Sequence, residues 1–249
     1  MADEFWLSDR QWAAIEPHLP KNQPGARRVD DRRVIYGIIH VLKSGCRWRD
    51  VPAVYGPPKT NYNRWHRWSH RRFWQGLFEA LREVSPDDAH CIDSTTAKAH
   101  RSSAGGKGGP ACQDIGCSRG RSTKIHILTD GLGRPIAFQL TPGQRGDVRV
   151  AVPLLEQVPA GRICLADAAY DARALRQYLA ERGTLPIIPN NPTRKRPHPF
   201  DARLYRARNR IERAISHLKD WRRIATRYDR LSATYASSVA LALVIQWWS

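Results

Sequence analysis

Two aspartates stand inside apolar, strand-like runs, and they restrict the fold more than any other feature of the chain. Asp93 follows Cys91-Ile92 in "HCIDSTTAKAH", and Asp167 closes "RICLA". A carboxylate beside a core-forming run must find a partner, because burying it alone is costly. From residue 90 the pattern reads as strands over 90–100, 123–130 and 135–142, the last two joined by the turn "DGLGR". A helix over 147–158, a strand over 162–170, a helix over 171–183, a strand over 185–190 and a long helix holding Glu212 follow. In this βββαβαβα order the first and fourth strands can lie side by side in the middle of a mixed α/β sheet. Asp93 and Asp167 then face each other, and their repulsion calls for a cation.

The first third of the chain carries helix signals alone. "LSDRQWAAIEPHLP" opens with Ser8 as N-cap and Gln11 three residues on, a capping box. After a loop at 22–28, "DDRRVIYGIIHVLKSG" has Asp30 as cap, an apolar stripe of Val34, Ile35, Ile38, Ile39 and Leu42, and Gly45 as stop. A short turn of helix and a longer helical region over 57–84, with Thr60 as its cap, complete an arrangement like a helix-turn-helix unit. The expected organisation is a small all-α unit over 1–88 and an α/β unit over 89–249. A Gly- and Ser-rich basic insert at 102–122 is expected to be a mobile loop that orders on DNA, and "PNNPTRKRPHPFD" at 189–201 is a second basic loop. Two readings fit the basic aromatic helix. Lys59, Arg64, Arg67, Arg71 and Arg72 can meet DNA, or Trp65, Trp68, Phe73 and Trp74 form core with the arginines solvated around them.

The 249 residues carry a net charge of +18. The excess is uneven: residues 1–88 hold 15 Lys/Arg against 11 Asp/Glu, a net +4, whereas 194–230 alone hold 13 against 4, a net +9. Such a balance points to nucleic acid as partner. No apolar run is long enough to span a bilayer, the opening "MADEFWLSDRQW" is polar, and the apolar "ASSVALALVIQWW" reads as a buried helix. The expectation is a cytoplasmic protein with no membrane partner. Five Cys form no zinc-like framework, so Cys91 and Cys164 read as buried reduced thiols. No phosphate-loop motif is present.

Most acids have structural explanations: Asp147 and Asp171 precede helices and read as caps, and Asp130 sits in an Asp-Gly turn. Asp93, Asp167 and Glu212 remain. On a continuous helix Tyr205, Arg208, Glu212 and Lys219 share one narrow arc beside the apolar arc of Leu204, Ile211, Ile215 and Leu218. Glu212 then either pairs with Arg208 four residues before it or binds a metal.

The spacing Tyr205-(2)-Arg208-(3)-Glu212-(6)-Lys219 resembles the signature of bacterial insertion-sequence transposases of the DDE class. "CIDST" and "ADAAYD" resemble the contexts of that class's two aspartates. The segments "IGCSRGRSTKIHILTDGLGRPIAFQLTPGQRGD", "LSDRQWAAIEPHLP" and "LKSGCRWRDVP" resemble the insertion sequence 5 family, so that the likeness covers nearly the whole chain. The interval from Asp167 to Glu212 leaves no room for the large β-rich insertion of some related transposases. The resemblance implies an RNase H-like catalytic unit in which Asp93, Asp167 and Glu212 bind two Mg2+ ions, with Mn2+ as a substitute. It also implies cleavage at element ends with 3′-OH strand transfer, DNA contacts from Tyr205, Arg208 and Lys219, double-stranded DNA ends and target as partners, a homodimer or higher multimer, and nucleoid association. An inactive DNA-binding regulator would instead bind ends without cutting, and an RNase H-like nuclease would cut branched DNA without joining.

Overall fold

The described residues form a seven-stranded sheet built around one central strand that carries Asp93. The computed structural model describes residues 4–21, 30–82 and 89–247; the loop read over 22–28 and the end of the helical region at 83–84 lie outside them. The central strand, β1 (Ala89–Ala99), pairs antiparallel with β3 (Arg121–Thr129), which pairs antiparallel with β4 (Pro135–Pro142) and, at its start, with the short β2 (Gly116–Cys117). On its other edge β1 pairs parallel with β5 (Ile163–Leu165), which pairs parallel with β6 (Leu185–Ile187). A two-residue strand, β7 (Thr226–Arg227), pairs parallel with the far end of β1. The first and fourth long strands are therefore neighbours, as the βββαβαβα order suggests.

Strand alternation divides the faces. Ile92 and Leu128 point to one face and build a core with α5 (Val148–Leu155) and α6 (Arg173–Glu181). Cys91 and Leu165 point to the other, against Ile211 of α8 (Asn209–Lys219). The five cysteines are free, and burial pushes the Cys91 thiol up to about 11.

The N-terminal elements are helical throughout: α1 (Asp9–Ile15), α2 (Asp31–Ser44), α3 (Pro58–His70) and α4 (Phe73–Leu81). Ser8 and Gln11 form the expected capping box. The Asp30 side chain accepts from the Arg32 N–H, and Gly45 ends α2 in the left-handed region. Thr60 is not a cap; Pro58 at the first helical position opens α3, because its missing N–H would have no partner there. The link from Gly45 to Pro57 holds two 3-10 turns, Trp48–Asp50 and Ala53–Tyr55, and is longer than the turn of a helix-turn-helix. These helices share one core with α9 (Arg222–Ala225) and with α10 (Ser232–Gln246), the buried helix expected from the apolar C-terminal run. Arg82, just past α4, ties them to the sheet by donating to the carbonyls of Ile136 and Gln157 at 2.6 and 3.1 Å.

The insert at 102–122 is held rather than free. Ser232 at the start of α10 donates its N–H to Gln113 Oε1 at 2.8 Å, and its hydroxyl donates to Asp114. Arg230 donates to the Ser102 carbonyl at 3.2 Å, and β2 pairs with β3. These partners lie far away in sequence, which is why composition alone reads the segment as a loose loop.

Gly37 marks the closest approach of α2 to the rest of the helical unit. A Cβ there would lie 2.2 Å from Asn61 Oδ1 and 2.9 Å from the Tyr55 Cβ. Asn61 is fixed by donating to the Tyr55 and Pro57 carbonyls, so it cannot yield cheaply. Gly37→Ala is expected to destabilise the protein by about 1–3 kcal/mol, read as a lower urea midpoint with an unchanged slope.

Candidate active site

Asp93 lies on the face of β1 that meets α8, directly opposite Ile127 of β3. Its side chain is 14% exposed. One carboxylate oxygen accepts from the Arg208 guanidinium at 2.5 Å, the other from the Ser94 N–H at 2.7 Å. Burial raises the Asp93 pKa; Arg208 and the Ser94 N–H oppose that rise, and the charges of Asp167 and Glu212 add to it. Asp167 follows β5, beside β1, and caps the 3-10 turn Ala168–Tyr170 through the Ala169 N–H at 2.9 Å. Glu212 sits on α8 and accepts from the second arm of Arg208 at 2.5 Å. Three carboxylates from a central strand, the end of its parallel neighbour and a covering helix thus act on one region.

Arg208 joins them by bridging Asp93 and Glu212. The pairing of Glu212 with Arg208 is therefore present, but the same guanidinium also serves the strand aspartate. Among the described residues, no three Asp, Glu, His or Cys side chains stand close enough to hold a metal. The donor set nevertheless suits a hard divalent ion. It consists of carboxylates, and Asp93, raised by burial and then by the charges of Asp167 and Glu212, needs a cation nearby, which Arg208 supplies here.

The helix expected to carry the signature residues is interrupted. Tyr205 ends α7 (Ala202–Tyr205), Arg208 lies in a 3-10 turn (Arg206–Arg208), and Glu212 and Lys219 belong to α8. The 3-10 turn breaks the continuous helix from which the single arc is read, yet Tyr205 stays close enough to Arg208, Asp167 and Glu212 to feel their charges. Arg208 keeps its contact with Glu212 because the two remain one turn apart. The Tyr205 ring packs edge-on against Phe200 and lies 5.9 Å from the Arg208 guanidinium. Lys219, the last residue of α8, is exposed ~10 Å along the helix from Glu212. Of the N-terminal cations, Lys59 and Arg67 are exposed, whereas Arg64 is buried, paired with Asp31 and laid over Trp68 at 5.0 Å.

Comparison with known proteins decides the family. Residues 85–247 match the model described as "Transposase DDE domain", and residues 7–78 match "Putative transposase of IS4/5 family". The chain belongs to the DDE transposase family. It is 37% identical over 127 residues to a "Putative transposase for insertion sequence element IS6501" of Brucella ovis, covering 51% of this chain and 98% of that relative. It is 28% identical over 138 residues to a "Putative transposase for insertion sequence element IS402" of Burkholderia cepacia, covering 51% of this chain and 63% of the relative. A cryo-EM structure of the piggyBac transposase synaptic complex with hairpin DNA aligns with 74% of this chain and 47% of its own at a TM-score of 0.40 and 14% identity. That likeness is too loose to bear on the fold.

Behind the transposase's central strand lies a second polar cluster that the sequence pattern hides. Ser94 points to the α5 face and donates to Asp147 at 2.6 Å. Lys124 pairs with Asp147 at 3.0 Å, and His126, opposite Ser94 in the ladder, approaches it at 3.6 Å. Asp147 precedes α5, as a cap would, but makes no capping bond. Burial lowers the His126 pKa to about 4, so the ring is neutral at pH 7 and bonds to Thr141. The buried Tyr170 hydroxyl is raised well above its usual value by burial and by Asp147, Asp93 and Asp167. The alternation Asp93-in, Ser94-out could have suggested this brace.

Asp171 is likewise not a cap; Ala172 holds that place. Its fully buried carboxylate accepts from Arg176 at 2.8 Å, Arg194 at 2.6 Å and the Asn191 N–H at 2.8 Å, which anchors the basic loop 189–201 to the turn that precedes α6. Asp130 does serve its turn, through the Leu132 and Arg134 N–H groups. Burial alone would raise Asp171, but Arg194, the Asn191 N–H and Arg176 outweigh it and hold the carboxyl at about 2. A depressed carboxyl contributes stability above its unfolded pKa near ~4 and loses it as the pH falls. Asp171→Asn, which leaves two arginines uncompensated, is expected to cost about 3 kcal/mol in urea unfolding at pH 7. The gap to wild type should close as the pH falls from ~4 toward 2.

Proposed function

We propose that this transposase cuts DNA at the ends of its insertion sequence and joins the freed 3′-OH to target DNA, with Asp93, Asp167 and Glu212 as the carboxylates that hold the metal. The observation that carries this reading is the charge balance at Asp93. A mostly buried acid on the central strand, raised first by burial and further by two neighbouring acids, and answered by one shared guanidinium, is arranged to receive cations. The strand order β4-β3-β1-β5-β6, antiparallel through β1 and parallel beyond it, supports an RNase H-like sheet. We assign DNA recognition to residues 1–88 and chemistry to residues 89–249, with α10 shared as the floor of the helical unit.

Asp93, Asp167 and Glu212 would hold magnesium, or manganese in its place. When bound, a pair of such ions supplies activation of water and stabilisation of the leaving 3′ oxygen. The chain's own residues place the DNA. The Arg208 fork bridges Asp93 and Glu212 and, with those acids turned to metal, would be released to a phosphate of the scissile strand; Tyr205 lies against that fork, and Lys219 offers a further phosphate contact from the end of α8. Lys59 and Arg67 offer phosphate contacts from the helical unit. Arg64 is left out of this set because its guanidinium is spent on Asp31 and Trp68. Hydrolysis leaves a 3′-OH, and that oxygen would attack a target phosphorus and displace the target strand's own 3′ oxygen, so that one P–O bond forms as another breaks and no protein–DNA bond is needed. Bringing two ends together requires a homodimer or larger assembly on double-stranded DNA.

A cleavage and joining assay on labelled element-end DNA tests the reading. Wild type should cut and join in magnesium, and Asp93→Asn, Asp167→Asn and Glu212→Gln should each lose activity by about 100-fold or more while still binding DNA. Full activity in Glu212→Gln would remove that residue from the metal set. Binding without cutting by wild type would point to a regulator, and cutting without joining to a nuclease.

A further inference from the structure

Helix α3 turns two unlike faces outward and inward. Asn61, Arg64, Trp65, Trp68 and Ser69 are buried. Lys59, Tyr62, Asn63, His66, Arg67 and His70 are exposed, and the helix carries no acidic residue. A solvated helix face ordinarily mixes both charges; this one holds two cations among neutral hydrogen-bonding groups. The exposed rings are also ordered. Tyr62, His66 and His70 form a column with centroids 5.9 and 4.1 Å apart, and Trp48 backs its first member at 5.7 Å. The His70 Nδ1 lies 2.9 Å from the His66 carbonyl oxygen. The ring therefore donates its Nδ1–H there and, when neutral, presents Nε2 outward as an acceptor.

These groups match base edges better than phosphates. An α-helix fits the major groove of B-DNA, where Asn reads adenine in a bidentate pair and an imidazole acceptor can take a base amino proton. Thirteen residues make a helix ~20 Å long, enough to cross the groove. The buried face is rigid: Arg64 is locked on Asp31 and Trp68, and Asn61 is bonded to the Tyr55 carbonyl. The exposed face is thus presented by a fixed support, as sequence readout requires.

We propose that α3 is the base-reading helix of this transposase, with Asn63, His66 and His70 meeting base edges in the major groove of the element ends while Lys59 and Arg67 hold the flanking phosphates. The inference rests on the reading of the chain as a transposase acting on DNA ends, and it adds the residues that would select the end sequence.

The test compares binding of the full-length protein, by fluorescence anisotropy across a salt series, to a duplex carrying the element's own terminal sequence and to a shuffled duplex of equal length. Asn63→Ala, His66→Ala and the double variant His66→Ala/His70→Ala should each cut the preference for the end sequence by ~10-fold or more, with binding to the shuffled duplex and its salt slope unchanged. Lys59→Ala and Arg67→Ala should weaken binding to both duplexes alike and lower the salt slope by about 1. All five positions are exposed, and circular dichroism melts matching wild type would exclude unfolding as the cause. An unaltered preference in the Asn63 and His variants overturns the proposal. Equal wild-type binding to both duplexes also overturns it, while leaving the transposase reading standing. Wild-type binding to neither duplex would overturn both.

Discussion

The Asp93 carboxylate is mostly buried on the central strand and bonded to Arg208, and much of the surrounding arrangement follows from that burial. A strand acid in this position needs an opposite charge within reach, which the helical segment covering that face of the sheet supplies. Ile211 packs on Cys91, Leu165 and Ile187, so α8 is held against the strands that carry the aspartates. That apolar contact sets how far Arg208 stands from Asp93 and brings Glu212 to the same guanidinium. A family of enzymes that handles phosphodiesters can use such a site because acids that need a cation to stay buried can hold a metal, and the guanidinium that answers them here can hold a phosphate.

The reverse side of β1 explains how the strand stays in register under this load of charge. Ser94 and Lys124 bond to Asp147 between the sheet and α5, with the neutral His126 ring beside them. The Ser94 N–H also donates to Asp93. One residue therefore links the acid on one face to the brace on the other, an outcome of the two-residue period of a strand. Helix α10 is buried along most of its length because it packs against the N-terminal helices and the sheet together. The helical unit is thus carried on the same core as the sheet, and α3 is displayed from a rigid base.

Much of this was legible in the residues. Capping by Ser8 and Asp30, the stop at Gly45, the hairpin between β3 and β4 and the adjacency of β1 and β5 follow from local patterns and topological rules. Asp93, Asp167 and Glu212 stand out in the sequence as acids without a local duty, although Asp167 also caps the turn Ala168–Tyr170. Errors arose where a local rule competed with a distant partner. Asp147 and Asp171 precede helices, yet their oxygens go to Lys124 and Ser94, and to Arg176 and Arg194. Arg64 lies in a basic run, yet it is buried on Asp31. Thr60 has the right chemistry for a cap, but Pro58 opens the helix first.

By itself, the sequence determined the order of elements, the excess of positive charge and the spacing of residues that places the chain among DDE transposases. Those properties are local or additive, and they survive without knowledge of contacts. The tertiary structure decided which charge meets which. It set Arg208 between Asp93 and Glu212, turned Asp147 to the back of the strand, and sorted the cations of α3 into a buried strut and an exposed face. Ion pairing depends on distances of a few ångströms between residues far apart in the chain, and those distances exist only once the apolar faces have packed.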